Sequence, residues 1–145
     1  MIKIAPSILS ADFANLEKDI RRIDSADYVH VDVMDGMFVP NISIGIPVVQ
    51  SIRPITKLPL DVHLMIVQPV RYVEQFCDAG ADLVTVHGST AKRREETAAH
   101  ISARGIQGRI RPLPRAARRF FVALLTIEAF CNAHQNAVFS HNSAR

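Results

Sequence analysis

The chain has no tryptophan, two tyrosines and two cysteines in 145 residues. Cys77 and Cys131 have neither CxxC nor zinc-ligand spacing, which argues against a disulfide framework or a cysteine-built metal site and leaves them as buried thiols. No apolar run approaches the ~20 residues of a membrane-spanning helix; the longest late one is FFVALLTIEAFC at 120–131. Nor does a charged start lead into a secretory apolar run, so the chain reads as cytoplasmic and without a membrane partner. Acidic residues run out as well: no Asp follows Asp82. Residues 1–88 hold 7 Lys+Arg against 11 Asp+Glu, and residues 89–145 hold 10 against 3, so a half of charge −4 precedes one of +7. The basic half has no interleaved aromatics, repeats or helix-turn-helix pattern, and reads as a change of composition rather than a nucleic-acid surface.

What is present is enough apolar residue, 48%, for one ordinary buried core. Four β-rich runs alternate with helical patterns, the mark of successive βα units feeding a parallel sheet. KIAPSIL (3–9) gives way at Ser10, a candidate N-cap, to a helix with Phe13, Leu16, Ile20 and Ile23 on its inner face. YVHVDVM (28–34) ends at the turn pair Asp35-Gly36, and a loop leads to a short helix with Val48, Val49 and Ile52 inward. LPLDVHLMI (58–66) precedes a helix that starts near Pro69, carries Val70, Val73, Phe76 and Cys77, and stops at Gly80. ADLVTVHG (81–88) is the fourth run, and residues 89–105 read as an exposed helix stopped by Gly105. Beyond it no strand is predicted. GRIRPLPRAARR sets two prolines and five arginines where a buried parallel strand should be β-branched. Residues 106–145 are therefore expected to be an irregular basic tail, disordered or loosely helical.

Alternation along a strand puts His30, Asp32 and Met34 on one face of the second run, and Asp61, His63 and Met65 on one face of the third. A covered parallel strand is normally apolar on both faces, and burying an imidazole and a carboxylate costs several kcal/mol (roughly 2–7 for a neutral polar group alone) unless they are paired or bind metal. His, Asp and His aimed at one interior are ligands suited to zinc or another divalent ion, near strand ends where α/β barrels keep their sites. Ser7, grouped with Ala5 and Leu9, either donates to a substrate hydroxyl or satisfies a backbone carbonyl. His87 belongs to the rim of the site or to a solvated loop, and Asp61 supports a ligand or only opens its strand. Met34 and Met65 read first as core filler.

IAPSILSADFANL, VHVDVMDGMFVPNISIG, LPLDVHLMI and AGADLVTVH, in this order and spacing, resemble the ribulose-phosphate 3-epimerase family over residues 1–88. The resemblance implies a (β/α)8 TIM barrel and an isomerase of the pentose phosphate pathway that interconverts D-ribulose 5-phosphate and D-xylulose 5-phosphate by moving the C3 proton through an enediolate. It implies a divalent metal (Zn, Fe, Mn or Co) held by His30, Asp32 and His63, with Asp32 also the catalytic acid/base. Ser7, His63, Met34 and Met65 become substrate contacts, the partner a small sugar phosphate, and a homo-oligomer is compatible with it. The family's later motifs, GVxLNP, MxVxPGFGGQ and VDGG, are absent from residues 89–145, and HGST at 87–90 departs from HxEA. The expected architecture is thus α/β: a partial (β/α)8 barrel of about four βα units in residues 1–105, truncated or frame-shifted, with impaired activity. The alternatives are an epimerase of a related ketose phosphate, such as allulose 6-phosphate, and a non-catalytic half-barrel.

Overall fold

Val29, Val31 and Val33 fall on one side of the second strand, where helices cover them, and the polar residues between them fall on the other. The computed structural model, which describes residues 2–88, 94–111 and 122–126, repeats this division from strand to strand. Its strands are β1 (Lys3–Ser7), β2 (Val29–Met34), β3 (Leu60–Met65), β4 (Leu83–His87), β5 (Gln107–Arg111) and β6 (Val122–Thr126). The helices α1 (Leu16–Arg21), α2 (Ile46–Ile52), α3 (Val73–Asp78) and α4 (Arg94–Ala103) follow the first four strands in turn. All strand pairs are parallel, in the order β5-β4-β3-β2-β1-β6. This is the α/β arrangement expected from the sequence, four βα units of a partial barrel.

One apolar cluster joins the sheet to the helices: Val29, Val31, Val33, Leu60, Val62, Leu64, Val84 and Val86 with Ile20, Ile23, Val49, Ile52, Phe76 and Ile101. Each such side chain, fully buried, contributes ~1.5–3 kcal/mol, so this layer fixes the register in which the polar face is presented. No helix among the described residues is long and apolar enough to cross a membrane.

Three expectations are corrected. The helix expected from Ser10 is broken into 3-10 turns at Ile8–Ser10 and Phe13–Asn15 before α1 begins. The Ser7 side chain accepts from the Leu9 N–H and the Asp12 side chain from the Ala14 N–H, each closing a local turn that competes with a continuous helix. Phe13 consequently lies half exposed, and Leu9 leaves the strand on which it was grouped with Ser7. Second, α4 is not exposed all round, since Thr97 and Ile101 are buried against the sheet. Gly108 in β5 permits this approach, because a Cβ there would lie 2.9 Å from Ile101 Cγ2. Third, strands do follow Gly105: β5 flanks β4 and β6 flanks β1. The rule that parallel strands are apolar on both faces describes central strands, and an edge strand needs only one neighbour. The rest of the expected basic tail, residues 112–121 and 127–145 with Cys131, lies outside the described residues. Cys77 is a free, buried thiol as expected.

The lower ends of β3 and β4 are tied by one arginine. Arg53 donates to the carbonyls of Thr56 (2.6 Å), Leu58 (3.0 Å) and Gly80 (3.3 Å) and to Asp82 Oδ2 (2.7 Å). Gly80 has φ +108° and lies under the arginine stem, so that a Cβ would stand 2.5 Å from Arg53 Cδ. Gly80→Ala should therefore destabilise the fold by ~2–4 kcal/mol, combining a left-handed backbone with the displacement of a partly buried, four-times bonded arginine. The urea midpoint, compared with that of Gly105→Ala, reads the difference: Gly105 also has positive φ (+67°) but meets nothing within 4 Å, so only the backbone part applies there.

Candidate metal centre

Parallel pairing places His30 opposite Asp61, Asp32 opposite His63 and Met34 opposite Met65 across β2 and β3. Ser7 in β1 pairs with His30, and Thr85 in β4 with His63. Because neighbouring strands alternate in step, Ser7, His30, Asp32, Asp61, His63, Thr85 and His87 share one face. His30, Asp32, Asp61 and His63 are all buried, none more than 9% exposed.

Asp32 stands at the centre. Its Oδ1 faces His30 Nε2 and His63 Nδ1, each at 3.2 Å, and its Oδ2 accepts from the Ser7 hydroxyl at 2.7 Å. His30 Nδ1 lies 2.9 Å from Asp61 Oδ2, and His63 Nε2 lies 2.8 Å from His87 Nε2. Both nitrogens of His30 thus face carboxylates, which only accept, so the ring of the metal-free chain carries both protons. Burial opposes the charge on His30, but hydrogen bonds and attraction from Asp32 and Asp61 outweigh it and push the pKa up to about 9. Burial likewise opposes the Asp32 charge. Hydrogen bonds from His30, His63 and Ser7 nevertheless hold its carboxyl well below the usual range.

The sign of the resulting pH dependence follows. A histidine whose folded pKa is raised from 6.5 to about 9 stabilises the fold fully below about 6.5, and this is lost as pH rises through about 9. The depressed Asp32 contributes above its ordinary pKa, and that contribution is lost as pH falls through its folded value. With chelator present, the urea midpoint should therefore drop between about pH 6.5 and 9.5. A flat profile over that window would contradict the His30 pairing.

His30, Asp32 and His63 each offer one ligand atom, and these atoms lie within 4.8 Å of one another. Two imidazoles and a carboxylate are a donor set that divalent transition ions take. The proton that His30 now holds against Asp32 marks where a cation would sit, and the buried Asp61 Oδ1, which has no hydrogen-bond partner, shows acceptor capacity in excess of the donors around it. The residues fit a divalent metal.

The structure joins Ser7 directly to Asp32, not to a backbone carbonyl, and Asp61 to His30. His87 is no solvated loop residue: besides His63 it meets the Phe38 ring, with centroids 4.8 Å apart. Met34 and Met65, partly buried, stand one rung nearer the strand ends than Asp32 and His63. Sequence reasoning missed Phe38, Asp35 and Ser43. Asp35 Oδ1 accepts from the Met37 and Phe38 N–H groups (2.9 Å each) and Oδ2 from that of Val67 (2.8 Å). Burial opposes its charge, but these bonds together outweigh it and hold the carboxyl below the usual range. Ser43 Oγ donates to the Asp32 carbonyl at 2.6 Å and accepts from the Met34 N–H at 3.0 Å, fastening the same loop to β2. The available signal was Asp35-Gly36, an Asx-type turn that holds its own backbone two residues on.

Comparison with known proteins gives one family. The family model described as "Ribulose-phosphate 3 epimerase family" matches residues 3–124. The ribulose-phosphate 3-epimerase of Bacillus subtilis (strain 168) is 51% identical over 109 residues, covering 74% of this chain and 50% of the relative. That of Synechocystis is 61% identical over 88 residues, covering 59% of this chain and 38% of the relative. The chloroplastic Arabidopsis thaliana enzyme is 58% identical over 88 residues, with 59% and 31% covered. The chain thus spans half or less of the length of these relatives. Among solved structures, a Yersinia pestis DHPS aligns with TM-score 0.57 at 12% identity, over 97% of this chain and 51% of that one. A 4-hydroxy-2-oxoglutarate aldolase aligns with TM-score 0.53 at 19% identity, over 72% and 46%. These two likenesses concern the fold alone.

Proposed function

We propose, from the premise that this chain belongs to the ribulose-phosphate 3-epimerase family, that its site binds a divalent metal and moves the C3 proton of D-ribulose 5-phosphate toward D-xylulose 5-phosphate. The observation that carries the reading is the convergence of His30, Asp32 and His63 on one point of the buried polar face. In this reading His30 Nε2, Asp32 and His63 Nδ1 hold the metal, and Asp32 takes the proton. Asp32 Oδ1 faces the two imidazoles, so Oδ2 is the oxygen turned toward substrate, and the Ser7 hydroxyl on it sets its direction and lies within reach of a substrate hydroxyl. The depressed pKa keeps the carboxylate ionised, hence in the form that accepts a proton. As the C3–H bond breaks, its electron pair moves toward the C2 carbonyl. A divalent ion bound beside Asp32 supplies positive charge that favours this movement and acidifies the C3–H. His63 borders the same space as a substrate contact, and Met34 and Met65 supply apolar surface for the flattened sugar carbons.

Incubating the chain with Zn2+ or Mn2+ and D-ribulose 5-phosphate in D2O tests this. A proton taken by Asp32 exchanges with solvent, so deuterium should enter at C3, as read by NMR or mass spectrometry. Return on the same face gives labelled starting sugar, and return on the opposite face gives D-xylulose 5-phosphate. Either supports abstraction of the C3 proton, and loss of the label in Asp32→Asn assigns it to Asp32. A folded, metal-loaded chain that yields neither label nor epimer overturns the proposal.

A further inference from the structure

We infer that His87 is a positioning residue, which accepts from His63 Nε2 when metal is bound and so leaves the lone pair of Nδ1 to the metal. The inference rests on the proposed metal site and extends it by one shell. A neutral imidazole has one N–H, and if Nδ1 binds metal the proton must sit on Nε2. His63 is 5% exposed, so that N–H needs an acceptor within the protein, and His87 Nε2 lies 2.8 Å away. Ligating histidines are commonly held in this way, by a group on the nitrogen that does not bind metal. Asp61 stands in the equivalent place on His30, 2.9 Å from Nδ1. The two imidazoles thus present opposite nitrogens, His30 Nε2 and His63 Nδ1, and each has its own partner behind it.

The support behind His87 is visible as well. The Phe38 ring packs against it at 4.8 Å, and the turn that carries Phe38 is pinned by Asp35 through the Phe38 N–H. A line of contacts therefore runs from the Asp35 turn through Phe38 and His87 to His63.

An imidazole differs from the Asp61 carboxylate in one respect: it can donate or accept. Without metal, His63 Nδ1 lies 3.2 Å from Asp32 Oδ1, which only accepts, so its proton belongs on Nδ1 and Nε2 accepts from His87. With metal on Nδ1 the hydrogen bond runs the other way. His63 would then carry its proton on Nε2 and donate it to His87 Nε2. Metal loading would thus reverse one hydrogen bond between two rings that already face each other.

The test compares the wild-type chain, His87→Leu and His87→Gln at one fixed pH. Zn2+ affinity is read by chelator competition, and the His63 tautomer by long-range 1H–15N NMR. His87→Leu should bind Zn2+ ~10–100-fold more weakly, whereas His87→Gln, whose side-chain carbonyl can accept from His63, should stay near wild type. The Zn-loaded wild type should show His63 protonated at Nε2, and the metal-free chain should show it protonated at Nδ1. Wild-type affinity in a folded His87→Leu chain overturns the inference, as does a Zn-loaded His63 bound through Nε2. Should His87→Leu fail to fold, the two wild-type NMR spectra decide alone. If the wild type binds Zn2+ no better than Asp32→Asn does, the metal site itself is overturned and this inference with it.

Discussion

Replacing Asp32 by Asn should slow deuterium entry at C3 by ~10²–10⁴-fold, the usual worth of a positioned proton-transfer group, while leaving the sheet intact. Asn keeps the shape and can still accept at one end from His30 and His63, so the valine layer behind β2 has no reason to move. What it loses is the charge. On the proposed reading the substitution also removes a metal ligand, and two roles in one residue must be separated. Raising Zn2+ until the variant is saturated does this: if Asp32 were only a ligand, saturation would restore exchange, and if it is also the base, saturation would leave the rate down. Full exchange in the saturated variant would reassign the base to another group. Ser7→Ala is the companion measurement. It removes the hydroxyl on Oδ2 but not the base, and should cost far less than Asp32→Asn.

What could be read from the residues was whatever depends on one strand or its nearest neighbour. Val29, Val31 and Val33 alternate with His30 and Asp32, and a period of two needs no tertiary information to say that imidazole and carboxylate share a face. The same pattern at Asp61, His63 and Met65 then paired two such faces, and the order of βα units gave the sheet. The errors arose where partners are distant in sequence. Ser10 is an acceptable cap, but Ser7 and Asp12 close the two short turns instead, and the Ser7 oxygen also meets Asp32 25 residues on. β6 lies beside β1 because an edge was open there, not because VALLT differs locally from an apolar helix segment. His87 looked ambiguous because Phe38 and His63, which enclose it, come from two other parts of the chain.

Replacing Asp61 by Leu should destabilise the metal-free chain by ~3–5 kcal/mol, because it leaves the buried His30 ring charged on one side without its carboxylate. The cost comes from the unpaired partner rather than from a strong bond lost. Asp61 is itself incompletely satisfied, with Oδ1 buried and unbonded, which offsets part of what its pairing with His30 contributes. A double-mutant cycle separates the two terms: in a His30→Leu background the penalty for Asp61→Leu should shrink, with a coupling of ~1–3 kcal/mol. The penalty should also shrink as pH rises through about 9, where His30 loses its proton in the wild type. Equal penalties in both backgrounds would mean that Asp61 acts through packing alone. With Zn2+ present the argument changes form but not sign. On the proposed reading His30 binds through Nε2 and still carries a proton on Nδ1, its partner there is Asp61 Oδ2, and removing that acceptor should weaken Zn2+ binding by ~10–100-fold. A buried carboxylate whose worth to the fold lies in pairing one histidine, and whose loss also weakens metal binding at that histidine, is what a residue kept for the site should look like.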